Sequence, residues 1–276
     1  MRSPRHFRRI RLRWWLIGGA AFVLLLAVAG PFVYIHFIEG PAPSQLALPR
    51  THGGPATKGD GSVGAAASVA GTWHVGSGSV AGYRVEEVLI GQNSTAVGRT
   101  KKVWGSLVVD GTTVTEATFT VDMATVESDQ SERNAQFAGR IMDVGKYPTA
   151  GLVLSTAIDL GAVPADGVIV HYRATGKLTM HGVTKTVSFP ISAERIDNGL
   201  DVLADVRIVF ADWDISNPSV SGFVTTANAG TLEVLLHLVR GKGNSPYTGS
   251  VSNGTNGGAP ITVPSTTVPP LKVPSS

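Results

Sequence analysis

From Val168 to Met180 the side chains alternate without a break. Val168, Val170, Tyr172, Ala174, Gly176, Leu178 and Met180 fall on one face, and Ile169, His171, Arg173, Thr175, Lys177 and Thr179 fall on the other. Only a period of two sorts residues this way, so the segment is extended and has one apolar side. Thirteen residues is long for a strand, whose usual length is about five or six. Strands this long with one apolar face point to an antiparallel barrel or a deeply curved sheet.

The same period recurs along the middle of the chain. Residues 114–122 set Ala117, Phe119 and Val121 against Thr118, Thr120 and Asp122, and residues 200–210 set Leu200, Val202, Ala204, Val206, Ile208 and Phe210 against a mixed face. Further strands are expected at 72–75, 80–89, 97–110, 150–159, 183–196 and 231–239. About nine short strands separated by turn residues is the pattern of an all-β sandwich or barrel. A two-residue loop at His181-Gly182 would pair Met180 with Val183, Leu178 with Lys185, Gly176 with Val187 and Ala174 with Phe189, with Gly182 supplying the positive φ such turns require. Lys185 is then the one charged side chain on an apolar face, and a position near the rim keeps its amine wet. Residues 128–140 lack alternation and read as a short helix capped by Ser128 or Asp129.

The flanks differ from this middle. Residues 14–38 hold no Asp, Glu, Lys or Arg over 25 positions, and about 20 apolar residues suffice to cross a hydrocarbon core. Six arginines among residues 1–13 set the N-terminus on the cytoplasmic side, and Trp14, Trp15 and Tyr34 suit the headgroup region. The rest of the chain is then extracytoplasmic. Ala27-Val28-Ala29 also has the small-x-small form of a signal cleavage site, a second reading that exports the chain equally. Residues 39–70, rich in Gly, Ala, Pro and Ser, read as a flexible linker. Residues 241–276, rich in Gly, Ser, Thr and Pro, read as a disordered tail. The expected organisation is therefore a basic arm at 1–13, a transmembrane anchor at 14–38, a linker at 39–70, a β domain at 71–240 and a tail at 241–276.

Charge follows the same division. Residues 1–70 carry eight Lys and Arg against two Asp and Glu, residues 71–240 carry 13 against 18, and residues 241–276 carry two against none. The basic character belongs to the flanks, and the mildly acidic β domain disfavours nucleic acid as a partner. The chain has no cysteine, which removes disulfides, thiolate metal sites and thiol nucleophiles.

No constellation for chemistry emerges from the rest. His74, His171, His181 and His237 lack the spacing of a shared metal site on one element. No Gly-x-Ser-x-Gly elbow occurs. Gly76-Ser77-Gly78-Ser79 lacks the Gly-Lys-Ser/Thr that would make it a phosphate loop. Glu86 and Glu87, adjacent on a strand, point to opposite faces. Asp212 and Asp214 read as a turn before Pro218. No catalytic residue, metal ligand or cofactor is expected, and the chain reads as a non-enzyme.

Four pieces in order, Gly71-Thr72-Trp73, Ser131-Glu132-Arg133-Asn134, Lys146-Tyr147-Pro148-Thr149 and Ala174 to Pro190, give residues 71–240 a resemblance to the YceI-like proteins. The chain departs from that family's usual pattern at Asn134, at Gly78-Ser79 and at Ile141-Met142. The resemblance implies a lipocalin-like antiparallel barrel of about eight strands with a polyisoprenoid or other long-chain lipid inside. It also implies a lining drawn from Phe119, Val121, Leu152, Leu154, Val168, Val170, Tyr172, Leu178, Met180 and Phe189. Tyr172 and Arg133 are the candidate polar contacts to a ligand head. The expected function is a membrane-anchored, extracytoplasmic carrier or sequestering protein for such a lipid. The alternative is an envelope adhesion module with a closed, dry barrel. The oligomeric state has no signature in the chain.

Overall fold

A computed structural model describes residues 42–49, 68–163, 165–196 and 199–244, together with Gly19, Phe22 and Val23. Of the expected anchor, only these last three are described, and all are helical and exposed. The rest of that segment and the tail from residue 245 lie outside the described residues. Among those described, no helix is long and apolar enough to cross a membrane.

The described residues form twelve strands: β1 (Gly71–Val75), β2 (Val80–Leu89), β3 (Gln92–Thr100), β4 (Val103–Asp110), β5 (Thr113–Asp122), β6 (Thr149–Leu154), β7 (Ile158–Asp159), β8 (Val170–Met180), β9 (Val183–Ile196), β10 (Gly199–Val209), β11 (Val224–Thr226) and β12 (Ala229–Val239). Every pairing is antiparallel. Eight strands run β1-β4-β5-β6-β8-β9-β10-β12, and His74↔Val239 with Val75↔Leu238 close the ring. The strand β2 pairs with β12 beyond the end of β1, and β3 adds to β2 as a hairpin. The turns Ile90-Gly91, His181-Gly182 and the loop 210–223 therefore gather at one end, called upper here, with the helix α1 (Ser131–Gln136) and the π-helical turn Phe137–Ile141 that follows it. The turn at Gly111 and the start of β1 lie at the lower end.

Several boundaries move relative to the expectation. The single strand expected at 97–110 is two, because the chain bends at Lys101-Lys102 and changes partner from β2 to β1 and β5. The segment 150–159 also divides, at residues 155–157, and only Ile158 and Asp159 return to pair with β5. The helix N-cap is Gln130, whose side chain makes no cap hydrogen bond. Ser128 instead donates from its hydroxyl to Asn134 Oδ1 at 2.7 Å, bracing the turn before the helix. The short β11 carries no alternation to reveal it.

The hairpin β8–β9 has the expected register along its whole length, from Met180↔Val183 to Ala174↔Phe189. His181 and Gly182 take φ +51° and +77°, the left-handed pair of a tight hairpin turn. A Cβ on Gly182 would lie 2.5 Å from the Tyr147 ring, so the position needs glycine twice over. His181 Nδ1 lies 3.0 Å from the Trp213 carbonyl, and Lys185 Nζ lies 3.2 Å from Asp212 Oδ1. The polar residues of this end are thus spent on fastening loops.

Outside the barrel, Glu233 of β12 is 1% exposed. Its register partner Gly82 stands opposite Arg99 on β3. A Cβ at Gly82 would meet Gly98 O at 2.2 Å and Arg99 Cγ at 2.8 Å, so the bare glycine lets Arg99 lie across β2. Glu233 accepts from Arg84 Nε at 2.6 Å and from Arg99 Nη2 at 3.1 Å. The same two guanidinium groups donate to backbone carbonyls of the segment read as linker: Arg84 Nη2 to Pro43 at 2.6 Å, and Arg99 Nη2 to Ser44. Leu48 in that segment is buried, as is Val97, which lies opposite Arg84 on the same face. Residues 42–49 are therefore seated on the wall by charge-assisted hydrogen bonds.

Candidate functional site: the barrel cavity

Inward-facing residues of all the long strands enclose a cavity of about 610 Å³, within the range of small-molecule sites. Nine of the ten residues expected to line it do so: Phe119 and Val121 on β5, Leu152 and Leu154 on β6, Val170, Tyr172, Leu178 and Met180 on β8, and Phe189 on β9. Val168 does not. It precedes β8 and is 45% exposed, because Gly167 at φ +77° breaks the alternation and its amide donates to Arg195 O instead. The opposite wall is supplied by Val206 and Ile208 on β10 and by Leu232 and Leu236 on β12. The alternation of 200–210 carries that signal for β10, whereas β12 shows it weakly because Leu235 also faces outward.

Small residues make the space. Ala81, Ala96, Ala174 and Ala204 all face the interior. At the lower end the space is stopped by Val69 and Trp73, 4% and 3% exposed, with the Trp73 indole N–H donating to Val69 O at 2.8 Å. Tyr172 is committed there too: its hydroxyl donates to Leu160 O at 3.1 Å, so it serves the wall. Burial raises the pKa of that phenol above its ordinary value.

At the upper end the lining becomes polar and reaches the surface. Glu132, Gln136 and Val220 line the cavity and are exposed. Arg133 of α1 lies 3.3 Å from Glu87 and also bonds Asp129, so its charge faces two carboxylates. Tyr83 stacks on Phe137 with ring centroids 5.0 Å apart. Burial pushes its phenol up to about 12, with Arg133 pulling the other way. The wall behind this rim has a seam: among the described residues β3 ladders with β2 alone, and on its other side it meets the segment that follows β5 through the Arg99–Glu127 bridge and the Thr100–Thr125 hydroxyl pair at 2.6 Å.

The site is thus an apolar tunnel with polar groups at both ends, Glu87, Gln130, Glu132, Arg133 and Gln136 at the upper end and Glu194 and Arg195 at the lower. Among the described residues no group of three His, Cys, Asp or Glu side chains converges as a metal site. The closest acid–imidazole pair, His237 Nδ1 and Asp201 Oδ1 at 2.6 Å, lies on residues that alternate away from the cavity-lining Leu200, Val202 and Leu236.

Comparison with known proteins agrees with this geometry. The model of the YceI-like domain family matches residues 73–238. Two curated relatives are UPF0312 proteins of Vibrio parahaemolyticus and Vibrio campbellii, 31% and 30% identical over 113 residues, which is 38% of this chain and 55% of each relative. The chain thus spans about half the length of the curated relatives it matches. A solved structure, the polyisoprenoid binding domain from Saccharophagus degradans implicated in plant cell wall breakdown, superposes with a TM-score of 0.50 at 16% identity. That match covers 61% of this chain and 97% of that one, and it supports the fold.

Proposed function

The chain belongs to the YceI-like domain family, and from that premise we propose that its barrel holds one long-chain amphiphile, a polyisoprenoid or a lipid of similar shape, with the chain inside and the head at the rim of Glu87, Gln130 and Arg133. The observation that carries this reading is the cavity: about 610 Å³ bounded by aliphatic and aromatic side chains, with polar groups gathered at its ends. Each methylene taken from water contributes about 0.8 kcal/mol, so a long tail binds firmly with no charged partner along its length.

In this proposal the protein works by holding its lipid rather than transforming it, as a carrier or sequestering protein. The uncharged stretch 14–38 anchors it as a single span, with the arginine-rich arm in the cytoplasm and the barrel outside. The anchor keeps a lipid container beside its supply. Solvent extraction of the purified full chain followed by mass spectrometry tests the reading. A stoichiometric isoprenoid or other long-chain lipid is expected; a delipidated protein that takes up no prenyl or fatty-acyl probe would refute it.

A further inference from the structure

The charges around the cavity are lopsided. Among the described residues that line it, the carboxylates are Glu87, Glu132 and Glu194, and the cations are Arg133 and Arg195. Both guanidinium groups are already engaged. Arg195, at the lower end, pairs with Asp166. Arg133, at the upper end, lies 3.3 Å from Glu87 and also bonds Asp129. Glu132 stands beside them, with the Ser131 hydroxyl donating to its Oε2 at 3.0 Å. Its own backbone amide and that hydroxyl hold its carboxyl below the usual range. Arg140 donates to Gln136 Oε1 and to the Pro218 carbonyl, both at 3.1 Å, and is not part of the lining. The upper rim therefore sets three carboxylates, Glu87, Asp129 and Glu132, against one guanidinium.

The same rim holds a hydrogen-bond donor that the fold does not use. Tyr83 shares the inward parity of Ala81 and Val85 on β2 and lines the cavity with them. Its ring is fixed in place. A Cβ on its register partner Gly98 would lie 2.4 Å from Tyr83 Cε1, so the bare glycine makes room for the ring, and Phe137 stacks against it 14° from parallel. Among the described residues the Tyr83 hydroxyl has no hydrogen-bond partner, whereas that of Tyr172 is taken by Leu160 O. Burial keeps the Tyr83 phenol protonated through the physiological range. A half-buried donor of this kind is satisfied by an acceptor on a ligand.

We propose that the rim reads the charge of the head: it accepts a long-chain amphiphile whose uncharged head carries an alcohol or carbonyl oxygen bonded by Tyr83, and Glu87 and Glu132 turn away phosphate and carboxylate heads. This rests on the container reading given above. The discrimination works by repulsion. A phosphate at the rim gives up water to stand beside like charges, and the one cation there is already shared by two carboxylates fixed in the fold. An uncharged head has no such charge to desolvate, and it gains the bond from Tyr83. The tail contributes equally to both kinds of ligand, so the head alone sets the preference.

Two probes with identical tails, geranylgeraniol and geranylgeranyl monophosphate, test this on the delipidated full chain in detergent. Uptake of each is corrected for its partition into protein-free micelles. At least tenfold stronger uptake of the alcohol at low salt is expected. Equal uptake, or a preference for the phosphate, overturns the head selection and leaves the container reading intact. Protein that takes up neither probe overturns both. Added salt screens the repulsion, so the preference should narrow as ionic strength rises; a preference that salt does not move overturns its electrostatic origin without recourse to any variant. In the double variant Glu87→Gln, Glu132→Gln, phosphate uptake is expected to rise about tenfold while retained alcohol uptake reports an intact barrel. An unchanged ratio in a variant that still takes up the alcohol overturns the role of the two carboxylates. Tyr83→Phe should weaken alcohol uptake severalfold, and undiminished uptake overturns its role as the donor.

Discussion

Glu233 and Arg84 meet at 2.6 Å on the outer face of the barrel, with the carboxylate 1% exposed. A charge this far from water tolerates its setting only while both guanidinium partners are present. Glu233→Ala would leave Arg84 and Arg99 facing each other and is expected to lower stability by about 3 kcal/mol. Urea unfolding of the full chain in detergent measures it. Glu233→Gln, which keeps an acceptor, should cost less, and equal losses would show that the charge is irrelevant.

The glycine between the two ladders makes a sharper case. Gly82→Ala pushes a methyl to within 2.2 Å of Gly98 O, so β3 must shift and Arg99 must leave Glu233. We expect a loss of about 2 kcal/mol or more together with faster proteolysis between residues 42 and 49. An alanine variant as stable as the parent, with the same cleavage pattern, would refute the crossing of Arg99 over β2.

Cavity volume is testable by filling it. Ala204 is 9% exposed and lines the space from β10, where a larger side chain points into the void. Ala204→Phe is expected to cut the lipid recovered per protein by tenfold or so, the equivalent of about 1.4 kcal/mol of binding, while the unfolding midpoint changes little. Undiminished lipid would mean that the tail lies elsewhere.

Tyr83 sets an alkaline limit. Burial holds its phenol protonated up to about 12 against an ordinary value of 10.0. Above pH 10 the unfolded chain therefore loses a proton that the folded chain keeps, and stability falls as pH rises from 10 to 12. Below pH 10 this contribution is constant. Tyr83→Phe should flatten the decline in thermal melts across that window and leave the melting temperature at pH 8 nearly unchanged. A parallel decline in both proteins would reassign the effect.

The hairpin β8–β9 and the polarity of its two faces were legible in the sequence, because strict alternation fixes which side is inward and a His-Gly pair fixes the register. The lining followed from the same parity at nine positions and failed at Val168, where the left-handed Gly167 interrupts it. The strand expected at 97–110 hid a bend at Lys101-Lys102, across which the inward parity switches from the even-numbered Ala96 to the odd-numbered Val103, Leu107 and Val109; the single apolar residue of 97–102, Val97, leaves that switch faint in the sequence. The seating of residues 42–49 had no signature: its acceptors are carbonyl oxygens, which every residue possesses, and its donors are arginines that look like solvent-facing charges. The rim was half visible, with Arg133 noticed and Glu87 read only as a carboxylate facing away from Glu86. Tyr172 drew attention as a polar lining residue, and only the fold shows that its hydroxyl is taken by Leu160.

The seam between β3 and the segment that follows β5 gives the barrel unequal stiffness. Below it, the ring closed by His74 and Val75 must break paired ladders to deform; above it, the β2–β3 hairpin is hinged along one side and latched at Arg99 with Glu127 and at Thr100 with Thr125. Thermal breathing therefore concentrates in residues 92–98, whose amides should exchange with deuterium well before those of β8 or β10. The container yields along a single line, beside the mouth, and its lower end stays shut.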